Sequence, residues 1–233
     1  MRKASRVISE SVAVGVDAHK GGWVAIVLRN RSVHRCGVYS GFQELLDEHP
    51  SASVVAVDIP IGLPVSGGRE ADSLARKLVG PRRSSVFPTP PRSVLEAANY
   101  SDALAMARNL GVGGISKQSF GLAPKILQVD EIARGDDRIR EVHPEVSFRG
   151  MAGQPLKYSK KSWNGASQRR LLLAQHDIVL PDDLGEAGLT PIDDVLDAAA
   201  AAWTADRISR GKAVSLPNPP EQIEDGRQAA IWY

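Results

Sequence analysis

Residues 12–31 read VAVGVDAHKGGWVAIVLRNR, and this segment constrains the fold more than any other. Val12, Val14 and Val16 alternate with Ala13, Gly15 and Asp17, so an extended strand here has one branched apolar face and one face of small residues ending in a carboxylate. The small face leaves room for something beside the acid. Lys20-Gly21-Gly22 supplies turn residues and WVAIVLR resumes the extended pattern, which together predict a hairpin. A third extended stretch, SVHRCGVYS, follows Asn30-Arg31. FQELLDEH then has helical spacing, and SVVAVDIP is short, β-branched and stopped by Pro60. A helix between strands implies a crossover, so the fourth strand is expected to run parallel to a neighbour.

The 233 residues suit one large domain or two small ones, and the apolar and charged shares are ordinary for a globular protein. A net charge of +2 is too small for bulk charge to force a nucleic-acid reading. Cys36 is the only cysteine, which excludes an intramolecular disulfide and a multi-cysteine metal site. No run approaches a membrane span, and MRKASRVISES lacks the apolar core of a signal peptide. The expectation is a cytoplasmic protein without a membrane partner, with a tail over residues 1–11 and one domain over 12–233.

Helices are predicted over 69–79 and 101–110, the second with Ser101 as N-cap and Gly111 beyond its end. Between them GPRRSSVFPTPPR is too proline-rich for regular structure, and such long loops are commonly functional. A further helix is expected from about Ser119 through Ala133, then strand character in RIREVHPEVSF. Helices over 166–176 and 191–209 follow. A helical insertion at about 65–135 therefore interrupts the strands.

Several acids stand at the ends of these elements. Asp58 closes SVVAVD where a strand stops, and in sheets with parallel strands reactive groups gather at the carboxyl ends. Asp58 also suits a simple turn cap. In the last helix Thr190 suits the N-cap, Pro191 the first helical position, and Asp193 the position from which an acid reaches back to the cap. Asp194 and Asp197 share a face, with Ile192, Leu196, Ala199 and Trp203 roughly opposite. The acidic face continues with Ala201, Thr204 and Ala205, small residues that point to close backbone approach rather than solvent. Glu145 follows a strand end beside His143, itself a weaker candidate. Clustered carboxylates need protons, basic residues or cations, and no Lys or Arg neighbours Asp58 or Asp197 in sequence. Oxygen ligands suit Mg²⁺ or Mn²⁺, so Asp17, Asp58, Glu145, Asp194 and Asp197 are candidate ligands.

The order of elements and acids resembles the RNase H-like fold: an α/β mixed sheet of three antiparallel strands followed by parallel strands, flanked by helices. That resemblance implies that Asp17, Asp58 and Asp197 hold two Mg²⁺ ions. DVLDAAAAAWTA is similar to the last helix of RuvC-type junction resolvases. A closer resemblance covers nearly the whole chain: VGVDAHKGGWVAIVL, AVDIPIGLP, GPRRSSVFPTPPR, SKQSF, EVHPEVSF, YSKKSW and DDVLDAAAAAWTA together resemble the predicted-nuclease family catalogued as domain of unknown function 429. Nuclease chemistry follows from it only by fold analogy.

A nucleic acid or other phosphodiester substrate also suits the basic residues. Arg82, Arg83 and Arg92 flank the proline-rich loop, and Lys117, Lys125, Lys157, Lys160 and Lys161 stand near Ser, Tyr and Trp. Tyr158 and Trp163 are candidates to stack on bases, although for any single residue the favoured expectation is that the lysines solvate a surface and that Phe87 and Trp163 pack in the core. The expectation is a metal-dependent nuclease or phosphodiesterase with Asp17, Asp58, Glu145 and Asp197 as catalytic acids and Lys117 neutralising a phosphate oxygen. The alternatives are a non-catalytic nucleic-acid or protein-binding module and, less favoured, an ATP-dependent phosphotransferase, for which no Walker-type loop is present.

Overall fold

The computed structural model describes residues 11–233, so the tail expected over 1–11 lies outside the described residues except for Ser11. Strands β1 (Val12–His19), β2 (Gly22–Arg29) and β3 (Ser32–Tyr39) form the expected antiparallel meander. Asn30 and Arg31 both take positive φ, 50° and 73°, which is the backbone a tight two-residue hairpin turn requires. Helix α1 (Phe42–Glu48) crosses back to β4 (Val54–Val57), which pairs parallel to β1, and β5 (Ile139–Glu141) pairs parallel to β4. The sheet order is β3-β2-β1-β4-β5, a mixed sheet flanked by helices that is consistent with an RNase H-like description.

Between β4 and β5 the chain forms α2 (Glu70–Val79), α3 (Arg92–Leu95), α4 (Tyr100–Asn109), α5 (Lys117–Gly121) and α6 (Ala123–Ile132). Helix α4 is capped by Asn99, two residues before the expected Ser101, because the Asn99 side chain accepts from the Asp102 amide at 3.0 Å. The helix expected over 119–133 is broken at Leu122: Pro124 lacks an amide hydrogen and is accommodated in the first turn of the new helix α6. The proline-rich loop holds a short 3₁₀ turn over Gly80–Ser85.

After β5 come α7 (Pro144–Ala152), α8 (Trp163–Gln175) and α9 (Ile192–Ser209), and then an antiparallel hairpin of β6 (Ser215–Gln222) and β7 (Gln228–Trp232). The strand expected through RIREVHPEVSF therefore ends at Glu141, and PEVSF is helical, with Pro144 in the first turn of α7. Helix α9 has Pro191 at its cap position, not Thr190; the Thr190 hydroxyl instead donates to Ala187 O at 2.8 Å and closes the preceding turn. The C-terminal AAIWY forms part of β7, and Trp232 bridges in parallel to Val142 beside β5.

The two faces of β1 organise the core as its alternation predicts. Val12, Val14 and Val16 pack with Val55, Val57, Phe42, Leu45, Ile126 and Val129 on one side. On the other, Ala13, Val24, Ile26, Leu28, Val54 and Ala56 pack with the alanines of α9. The approach of α9 is close: a methyl group at Gly15 would lie 1.9 Å from Ala202 N and 2.2 Å from Ala198 O. Every α9 residue from Val195 to Asp206 is buried, because α7 and α8 cover its far side. Ile192, expected on the same face as Leu196, Ala199 and Trp203, is exposed before that cover begins.

Candidate active site

Two acids meet where β1 and β4 separate. Val16 is in register with Val57, and the Asp58 amide donates to Val16 O at 3.1 Å, so Asp17 and Asp58 lie side by side just past the paired residues. They share the face of Gly15 and Ala56, which is the face α9 covers, and α9 presents Asp197 there from its second turn. Asp17 and Asp197 are buried and Asp58 is half-buried.

Burial and mutual repulsion dominate the electrostatics. Burial raises the Asp17 carboxyl well above the usual carboxylate range, and the charges of Asp58 and Asp197 push it further. Burial raises Asp58 as well, against the pull of Lys160, with Glu145 and Asp194 adding to the rise. Asp197 follows the same pattern: burial lifts it, Lys160 opposes, and Asp58 and Glu145 reinforce. Asp194, one turn nearer the start of α9, is raised by burial and by Asp193.

Lys160 is the cation of this cluster. Its ammonium donates to Asp197 Oδ2 and lies 3.9 Å from Asp193, and although burial disfavours its charge, Asp197, Asp58 and Asp17 hold its pKa above the usual lysine value. Asp193, expected to reach back to the helix cap, thus faces Lys160. Glu145, in the first turn of α7, is buried and ion-paired with the fully buried Arg169. Neither cation was visible beside the acids in sequence, because Lys160 and Arg169 reach them through the fold.

Asp17, Asp58, Lys160, Asp193 and Asp194 open onto a cavity of about 380 Å³ whose walls also include Phe87, Gln118, Glu141, His143 and Lys161, while Asp197 and Glu145 lie behind that lining. His143 Nε2 donates to Ser85 O at 3.3 Å, while its Nδ1 is buried without a partner; burial lowers its pKa and favours the neutral ring. The cavity lining also holds a polar network that sequence reasoning missed. Arg69 donates to both oxygens of Glu141 at 2.7 Å and to Asp72 at 2.6 Å, and Asp72 accepts from the Thr89 amide at 2.7 Å. Glu141 also accepts from the Ile61 amide at 2.7 Å, which pins the turn after Asp58. Glu141 ends β5, so the strand-end reasoning that picked out Asp58 applied to it equally.

The remaining basic candidates disperse. Lys161 lines the cavity. Arg82 donates to Lys157 O at 2.7 Å and joins the proline-rich loop to the segment before α8, and Arg83 is exposed. Arg92 pairs with the buried Asp130, to which Arg227 from β7's approach also donates. Lys125 donates to His19 O and Gly22 O and covers the Trp23 ring, bracing the β1–β2 turn. Lys117 lies over the Tyr100 ring, and its neighbour Gln118 rather than Lys117 lines the cavity.

Among the described residues, no group of three or more His, Cys, Asp or Glu side chains is arranged to hold a metal ion. The donor set still suits a hard divalent cation. Asp17, Asp58 and Asp197 offer only oxygen, Asp197 Oδ1 is buried without a hydrogen-bond partner, and the repulsion among the three is what a cation relieves. No described helix is long and apolar enough to cross a membrane.

Searches of curated proteins and of solved structures each gave no match. A family model does match, over residues 15–222, a span running from the acid-bearing first strand to the C-terminal hairpin. The chain accordingly belongs to the family described as "Protein of unknown function (DUF429)".

Proposed function

We propose that this protein is a metal-dependent nuclease or phosphodiesterase. The observation that carries the reading is the meeting of Asp17, Asp58 and Asp197, from β1, the end of β4 and α9, with Asp17 and Asp58 lining one cavity and Asp197 bonded to Lys160 in its wall, and with burial and their mutual repulsion raising their pKa values. Asp17, Asp58 and Asp197 would hold Mg²⁺ or Mn²⁺, with Asp194 at the cavity wall as a further oxygen donor. When bound, such an ion acts as a Lewis acid toward a phosphoryl oxygen and makes water more acidic.

The chain's own residues supply the rest. Lys160, kept protonated, balances the acids and presents a positive charge at the cavity wall where a phosphate would enter, a role the sequence reading gave to Lys117. His143, held neutral with Nδ1 unpartnered, is placed to accept a proton. Glu145, ion-paired with Arg169, adds its negative charge to the field on Asp58 and Asp197. Arg69 and Glu141 fix the turn that follows Asp58.

Asp17→Asn tests the reading: it should abolish Mn²⁺-dependent cleavage of oligonucleotide substrates without unfolding the protein. Equal cleavage by variant and wild type would overturn the assignment. The Lys160–Asp197 pair favours one rival, a non-catalytic nucleic-acid-binding module in which the lysine permanently fills the cation's role. It predicts binding that persists in EDTA and survives Asp58→Asn, with no cleavage by the wild type.

A further inference from the structure

Trp163 has no role in the site described above. Trp23 and Trp203 are buried at 1% and 7% exposure, whereas Trp163 is 84% exposed at the first position of α8. It ends the run Lys157-Tyr158-Ser159-Lys160-Lys161-Ser162, and that run is fixed to the active site at its centre: Lys160 bonds Asp197, and Lys161 lines the cavity. Arg82 holds the start of the run through Lys157 O, and the Ser162 side chain caps α8 by accepting from the Gly165 amide at 3.1 Å. A methyl group at Gly165 would lie 1.8 Å from Ser159 O, so the turn into α8 packs tightly against its own backbone. Trp163 therefore projects from a tightly packed turn, three residues from the lysine that faces the catalytic acids. Tyr158, also exposed, lies under Lys157, whose ammonium is 5.2 Å from the ring centroid.

An exposed flat ring that follows Lys160 and Lys161 in the chain matches the chemistry of an unpaired base with its phosphate. Stacking needs a free base face, which a duplex interior does not offer, and lysines at the same lip meet the backbone charge. We infer that the Lys157–Trp163 lip binds single-stranded nucleic acid, with a base stacked on Trp163 and the adjoining phosphate directed past Lys161 into the cavity. This rests on the nuclease reading for its substrate class, but it concerns binding and is tested without metal.

The experiment is fluorescence anisotropy of a labelled single-stranded oligothymidylate, and of a matching blunt duplex, with the full chain in EDTA. The single strand should bind more tightly than the duplex. Trp163→Ala should weaken single-strand binding about 5- to 150-fold, the worth of one stacked base, and Trp163→Phe should recover most of it. Lys161→Ala should lower the salt dependence by the equivalent of about one phosphate contact. Since Trp163 is on the surface, circular dichroism should show the variants folded. Undetectable binding, preference for duplex, or a Trp163→Ala variant that binds like wild type would each overturn the proposal. Metal-dependent cleavage that persists in such a variant would leave the nuclease reading standing while the lip fails.

Discussion

Gly15→Ala is the sharpest test of how the site is built. A methyl group there would sit 1.9 Å from Ala202 N, 2.2 Å from Ala198 O and 2.5 Å from Ala202 Cα, against about 3.4 Å for ordinary contact. Helix α9 would have to retreat by about 1.5 Å, the difference between 3.4 and 1.9 Å. Backbone atoms oppose the new methyl group, so no rotamer change relieves the clash. Overpacking of a well-filled core costs roughly 1–3 kcal/mol, and the upper end applies where only a whole-helix shift can respond. For a chain of this size that corresponds to a fall in melting temperature of roughly 6–12 °C. The same retreat carries Asp197 away from Asp17 and Asp58, so Mn²⁺-dependent stabilisation should fall as well. Thermal melts followed by circular dichroism, with and without Mn²⁺, measure both. Gly68→Ala is the control, because a methyl group there meets nothing within 4 Å, and surface changes of this kind stay within about 0.5 kcal/mol. A Gly15→Ala protein melting within about 2 °C of wild type would refute the close approach on which the site depends.

Two further predictions concern charge. The Asp58 and Asp197 pKa values are raised from 3.8 to about 7 in the fold, so the protonated forms favour folding: that stability is present below the unfolded value and is lost as pH rises through about 7. In EDTA, Asp58→Asn should therefore gain stability relative to wild type between about pH 4 and about pH 7, seen as diverging melting temperatures, and parallel profiles across that range would contradict the shift. Lys160→Met should destabilise the metal-free protein at neutral pH by roughly 1–3 kcal/mol, less than the loss of a fully buried pair because the lysine is partly exposed. It should also enlarge the thermal shift produced by Mn²⁺, since no ammonium then competes for Asp197; an unchanged or smaller shift would show that Lys160 and the ion do not share that carboxylate.

Local pattern revealed those parts of the architecture that depend on near neighbours in the chain. The alternation of Val and small residues through Val12–Asp17 foretold both the strand and the side on which a helix could come close. The acids at strand ends were legible for the same reason: a carboxylate interrupting an apolar run stands out. Proline punctuation was harder to read, because Pro124 and Pro144 suit the first turn of a new helix as well as the end of an old element, and only tertiary packing decides between them. The counter-ions were not legible at all. Lys160 lies 37 residues from Asp197 and Arg169 lies 24 from Glu145, distances over which sequence spacing carries no geometric information. Arg69 and Glu141, 72 residues apart, were hidden in the same way.

The order in which the three acids occur along the chain has a consequence during synthesis. Asp17 and Asp58 emerge early, but Asp197 arrives only when α9 is made, and α9 is also the element that closes the small face of β1. A nascent or truncated chain lacking α9 has two of the three carboxylates and an uncovered sheet. On the proposed function, cutting activity would wait for α9, so that any copy stopped before it would be inert.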